Sequence, residues 1–252
     1  MLFFKRILGD STPAIPSDRR GGPRCPVGPT FPLKAVLNTV GRDEMGLPLQ
    51  STDGEGWDWT GRLINLSPTG ARLQVPATMH SHQDDACRMK FEIEGYELVV
   101  PGRIAHITER RDSFVYGIQL DTSEPDVGKP YRQLFELIAL GAALKPTKPS
   151  QLDDSGYLAE QYAAEEFSTL DVWRAGSDKA PVAFDLRLND CRVRGLAGEK
   201  ELQFLLNVAG GNPVVATPDQ RTEIQRLFHW VVPNLAPEVP EDVREFLRKH
   251  AT

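Results

Sequence analysis

Between Leu33 and Asp121, apolar and polar residues alternate in short runs: LKAVLNTV, WDWTGRLINL, GARLQVP, ACRMKFEIEG, YELVVPGRIAHITER and SFVYGIQLD. Period-two alternation puts the apolar side chains on one face of a half-buried strand. Turn formers divide the runs, among them Pro68-Thr69-Gly70, Gly95 and Arg111-Asp112-Ser113. The pattern predicts five or six antiparallel strands in a small barrel or sandwich. The polar, glycine-bearing stretch from Gly41 to Gly56 is predicted as a loop. After Pro130 the period lengthens, and Leu134, Phe135, Ile138 and Leu144 predict one helix that closes the domain.

Farther on, KPTKPSQLDDSG, from Lys145 to Gly156, has the Pro, Lys and Ser content of a linker. SGYLAEQYAAEEF then predicts a helix. Strands are predicted over Leu170–Trp173, Val182–Leu188, Cys191–Arg194 and Glu201–Leu206, with helices around RTEIQRLFHWVV and EDVREFLRKH, a smaller α+β domain. Both halves end in a strand, a loop and a helix, YGIQLD then YRQLFELI, and LQFLLNV then IQRLFHWVV, which raises a degenerate repeat as an alternative.

Upstream, MLFFKRILGD is apolar around Lys5 and Arg6 but far below the ~20 residues that span a bilayer. It lacks the layout of a secretory signal, so no transmembrane segment is predicted. Its readings are a cap on the protein's own surface or a short amphipathic tether to a membrane or partner. STPAIPSDRRGGPRCPVGPTFP is dense in Pro and Gly and poor in apolar residues, and predicts a mobile arm. The predicted layout is an N-terminal segment over 1–17, a β-domain with its arm over 18–148, and an α+β domain over 149–252 to which no role is assigned.

With 252 residues, 40% of them apolar, the chain can bury a core. Its net charge of −6, from 29 basic and 35 acidic residues, argues against a surface coated for nucleic acid, so no DNA partner is predicted. Three scattered cysteines, Cys25, Cys87 and Cys191, fit a reducing compartment, hence a cytoplasmic protein. MHSHQDDAC carries His80, His82, Asp84, Asp85 and Cys87, but its spacing fits no metal motif and reads as a loop; no metal is predicted. There is no nucleophile elbow, phosphate-binding glycine loop or metalloprotease helix, so neither an enzyme nor a cofactor is predicted.

Two short stretches carry chemistry. In RLINLSPTGARL, strand alternation predicts Leu63, Asn65 and Ser67 on one face, with Gly70 supplying a positive φ for the reversal. Asn65 and Ser67 then either bond the backbone of their own turn or receive a ligand. In DRRGGPR, Arg20 and Arg24 are separated by three residues on the arm. Guanidinium forks match phosphate oxygens and the O6/N7 edge of guanine, and their planes stack on bases. Alone, such a pair also reads as a solvated linker.

Arm, strand, NxSxxG hairpin, six-stranded β-domain and closing helix, in that order, resemble the PilZ family, whose pattern is RxxxR followed by (D/N)xSxxG on a small barrel. The resemblance spans roughly Asp18 to Leu144. It implies a six-stranded antiparallel barrel that is a receptor for the bacterial second messenger cyclic di-GMP. It also implies that Arg20 and Arg24 grip guanine edges and phosphates, and that Arg19 adds a stacking or phosphate contact. Asn65 and Ser67 would hydrogen-bond guanine or phosphate, while Gly70 keeps a Cβ out of the way. Two features depart from the family: the Pro-rich CPVGPTFP after Arg24 and the insertion-like loop from Gly41 to Gly56. The implied function is a non-catalytic effector in which nucleotide orders the arm from Ser17 to Pro32 and changes how arm and barrel face the C-terminal half, regulating an unidentified protein partner. The alternative is a barrel that binds no nucleotide and serves as a scaffold for a motility, adhesion or secretion system.

Overall fold

The computed structural model describes residues 24–43, 45–48, 56–164, 168–176, 179–208 and 211–251. The chain divides into two compact units, described over 24–135 and 136–251.

In the first unit the predicted alternation becomes strands β1 (Cys25–Pro26), β2 (Lys34–Thr39), β3 (Trp57–Ser67), β4 (Gly70–Pro76), β5 (Ala86–Ile93), β6 (Tyr96–Arg110) and β7 (Ser113–Leu120). They pair antiparallel in the order β1-β3-β2-β5-β6-β7-β4, and β3 also pairs with β4, which closes β2 to β7 into a six-stranded barrel. Closure removes the exposed sheet edges that a small antiparallel sheet would otherwise carry. The interior is filled by Leu37, Leu63, Leu73, Met89, Val100, Ile104 and Tyr116, all buried. Helix α1 (Pro125–Ala142) follows. It starts ahead of the predicted point and holds Pro130 in its second turn, while Leu144 lies past its end.

The described part of the arm is anchored, against the expectation of mobility. Cys25, Val27 and Phe31 are only 2%, 6% and 5% exposed. β1 pairs Cys25 with Leu66 and Pro26 with Asn65, and the Val27 N–H donates to the Ile64 carbonyl at 2.9 Å. Three apolar side chains suffice to seat this segment, and Pro26 is tolerated because β1 is an edge strand. Arg19 and Arg20 lie outside the described residues.

The second unit holds β8 (Lys145–Leu152), β9 (Leu158–Ala164), β10 (Ser168–Arg174), β11 (Pro181–Leu188), β12 (Cys191–Leu196), β13 (Gln203–Leu206) and β14 (Val214–Val215), then α2 (Pro218–Val231), a 3-10 turn and α3 (Glu241–His250). Its sheet runs in chain order from β8 to β14. Leu170, Val172, Phe184, Leu186 and Val193 share the buried set with Ile224, Leu227, Phe228, Val243 and Leu247 of the helices, and the Phe184 and Phe228 rings stack at 5.9 Å.

Two expectations fail here. The linker is strand β8: its prolines, Pro146 and Pro149, are accommodated because β8 is an edge, with register shifts on either side of Lys148. The predicted helix SGYLAEQYAAEEF is instead strand β9 over Leu158–Ala164, because pairing with β8 and β10 outweighs the helical propensity of Ala, Glu and Gln. The likeness between the halves stops at their strand, loop and helix endings, since one sheet closes out of chain order and the other is a meander. No described helix is long and apolar enough to cross a membrane.

Candidate functional site

Alternation along β3 is broken at one place. The register with β4 shifts between Leu63 and Asn65, leaving Ile64 as a bulge. A bulge adds one residue and reverses the facing of everything beyond it. Leu63 and Leu66 therefore both point inward and are buried, while Asn65 and Ser67 face outward. The expectation that Leu63 shares their face is thus corrected. Ser67 pairs directly with Gly70 across the loop Pro68-Thr69, and Ser67 Oγ donates to the Gly70 carbonyl at 3.3 Å.

Gly70 is needed for a different reason from the predicted one. It is not among the positive-φ residues; a Cβ there would sit 2.8 Å from the Ile118 carbonyl oxygen. The hairpin is tied down from the helix side by Tyr131, whose hydroxyl lies 2.7 Å from the Ser67 carbonyl and 3.1 Å from the Gly70 carbonyl. Burial raises the Tyr131 phenol well above its usual range, so it stays a donor. Tyr131→Phe should cost about 1 kcal/mol or more, since two carbonyls lose a donor at a part-buried position. Urea denaturation of the two proteins measures this.

Strand β6 carries a second bulge, at Ala105, between Ile104 and His106. It turns His106 outward, and the imidazole lies on Gly117, where a Cβ would fall 1.9 Å from His106 Cε1. With both bulges in place, two rows of directly opposed residues cross the outer face. One is Asn65, Arg72, Gly117 and His106; the other is Ser67, Gly70, Gln119 and Arg103. Each row contains a glycine, which thins the floor between polar neighbours.

Those rows form most of the floor of an open cleft of about 280 Å³, whose lining includes Arg24, Asn65, Ser67, Gly70, Arg72, His106, Gly117 and Gln119. Arg24 reaches it because β1 runs beside Asn65. No carboxylate lines the cleft among the described residues. Arg103, at the end of its row, is already engaged, with Nη1 on Asp84 at 2.5 Å and Nη2 on Gln119 Oε1 at 2.8 Å. The arrangement suits an anion bearing hydrogen-bonding edges.

Of the residues singled out in the sequence, Arg24, Asn65, Ser67 and Gly70 come together. Arg72, His106 and Tyr131 were missed. Arg72 had a signal: in GARLQVP the buried set is Ala71, Leu73 and Val75, which leaves Gly70, Arg72 and Gln74 outward. His106 had none, because strict alternation places it with buried Ile104. In the MHSHQDDAC loop, Asp85 is bound by Arg42, with Nε and Nη2 at 2.9 and 2.6 Å, which lowers its carboxyl below the usual range. Burial pushes the Cys87 thiol up to about 12.

The barrel carries a cleft lined by Arg24 and Arg72 and by no carboxylate among the described residues. Residues 42–139 match the family model of the PilZ domain, and the chain carries a PilZ domain there. PilZ domains are a cyclic di-GMP receptor family. The match includes Asn65, Ser67 and Gly70 and begins after Arg24. Among solved structures, the PilZ domain of YcgR from Escherichia coli with c-di-GMP is similar at 14% identity and a TM-score of 0.34, covering 47% of this chain and 89% of that one. No curated protein matches.

Proposed function

We propose that the cleft on the first unit binds cyclic di-GMP and that the protein is a receptor, without catalysis at this site. The observation that carries the reading is the meeting, on a PilZ barrel, of Arg24, Asn65, Ser67 and Gly70 in one cleft that no carboxylate lines among the described residues. A dinucleotide with two phosphates and two guanines needs charge, donors for the O6/N7 edge and flat surfaces. Arg24 offers a fork for phosphate or guanine, Asn65 and Ser67 offer short polar contacts, and the His106 ring offers a plane.

At about 280 Å³ the cleft lies just under the low end of small-molecule sites, roughly 300–1,000 Å³. It therefore takes part of the dinucleotide, and the arm supplies the rest of the cover. Arg20 stands four residues before Arg24, so an extended chain carries it at most about 14 Å from that anchor, within reach of a ligand on the floor. Arg19 and Arg20 close on the nucleotide, and ordering them is the change that a protein partner reads.

Calorimetric titration with cyclic di-GMP tests this on the intact protein and on the Arg20→Ala/Arg24→Ala variant. A bidentate arginine contact to guanine discriminates by about 1–3 kcal/mol, so the double variant should bind at least tenfold more weakly. Equal heats from the two proteins reject the site, and no heat from either rejects the ligand.

A further inference from the structure

Resting on the receptor reading, we propose that Arg72 seats a phosphate of the nucleotide, as a fourth ligand arginine, fixed on the barrel itself. Arg72 stands on β4 in the middle of its row, directly opposite Asn65 on one side and Gly117 on the other. Opposed residues on a sheet face lie about 4.5–5.5 Å apart, so its guanidinium shares one patch with Asn65 and the gap over Gly117. The side chain is half-buried, and its Nε is shut off from solvent with no hydrogen-bond acceptor. Among the described residues Arg72 has no ion pair, whereas Arg103 on the neighbouring row is held by Asp84 and Gln119.

A buried donor without an acceptor is unfavourable, and the large majority of buried polar atoms have a partner. Nothing in the cleft can be that partner by charge. Asn65, the residue opposite, is a neutral amide, so it leaves the positive charge uncompensated where a carboxylate would have cancelled it. An oxygen-rich anion entering over Gly117 meets the cleft side of the guanidinium, whose charge no described carboxylate of the lining offsets. A phosphodiester has the charge and the acceptors for this; a guanine edge supplies acceptors without the charge.

The assignment separates from a base contact by the substitution that keeps charge and discards the fork. Lysine serves phosphate as a point charge but cannot make the two-pronged contact to guanine. Cyclic di-GMP is titrated into wild type, Arg72→Gln, Arg72→Lys and Arg24→Ala by calorimetry, with unfolding midpoints recorded without ligand. The expected result is a loss of about tenfold or more for Arg72→Gln and no more than about threefold for Arg72→Lys.

Arg72→Gln binding like wild type while Arg24→Ala binds weakly overturns this inference and leaves the receptor reading standing. Equal losses in the glutamine and lysine variants overturn the phosphate assignment. Absence of binding by wild type overturns both. Should Arg72→Gln not fold, the Nε–H resonance of Arg72 in arginine-labelled wild type decides: a shift on adding cyclic di-GMP supports the contact, and an unmoved resonance overturns it.

Discussion

Arg174→Met should destabilise the second unit by about 3 kcal/mol or more. Arg174 is 6% exposed at the end of β10. Its Nε lies 3.0 Å from Glu160 on β9, out of line for a hydrogen bond, and its Nη1 pairs with Asp242 in the first turn of α3 and donates to the Lys179 carbonyl at 2.8 Å. One guanidinium therefore joins two strands, a loop and a helix. The cost of its removal falls mainly on Glu160, whose side chain is 16% exposed, since Asp242 at 53% regains water. Urea denaturation followed by amide exchange in β10 and β11 measures the loss. Adding Glu160→Met to Arg174→Met should recover much of it, because an apolar pair of similar volume replaces the ions. If the single variant loses under 1 kcal/mol, the network contributes little.

The contrast between the units shows what a sequence exposes. In the first unit β2 and β5 have a buried and an open face, so LKAVLNTV and ACRMKFEIEG declare themselves by alternation. In the second, β9 is built from Ala, Glu and Gln, whose helical propensity hides an extended segment that only its neighbours β8 and β10 enforce. β8 carries prolines that mark a linker in isolation and an edge strand in context. The site was legible where composition alone marks chemistry: Asn65, Ser67 and Gly70 on a hairpin, Arg24 before it. What stayed hidden is geometric. The bulges at Ile64 and Ala105 leave no mark in composition, yet they turn Asn65, Ser67 and His106 outward. Tyr131 was hidden for another reason: its partners are backbone carbonyls far away in the chain, and backbone carbonyls have no sequence signature. Arg72 was readable from alternation plus the Ser67–Gly70 pairing, but it gains meaning only beside a glycine on the next strand.

Two glycines of the barrel should lose similar stability on substitution by alanine but differ in their effect on binding, and the difference isolates the site from the fold. Gly95, between β5 and β6, has φ +80° with nothing within 4 Å of a built Cβ. Gly95→Ala therefore meets conformational strain alone, about 1–2 kcal/mol, and should leave affinity for cyclic di-GMP unchanged. Gly70 has no such φ, but its Cβ would press on the Ile118 carbonyl at 2.8 Å, a backbone atom that no rotamer change can move. Gly70→Ala must push the Ser67–Gly70 end of the hairpin away from β7, against the bonds from Tyr131 and from the Leu120 N–H to the Thr69 carbonyl at 3.0 Å. The expected stability loss is about 1–3 kcal/mol, similar to Gly95→Ala. Its effect on binding should be much larger, at least about tenfold, because Ser67 and Asn65 ride on the displaced strand end and hydrogen bonds weaken steeply off their geometry. Thermal unfolding and calorimetric titration of the two variants side by side give the answer. Matched stability losses with a binding defect confined to Gly70→Ala assign the hairpin end to the ligand, and equal affinities would place the nucleotide elsewhere on the barrel.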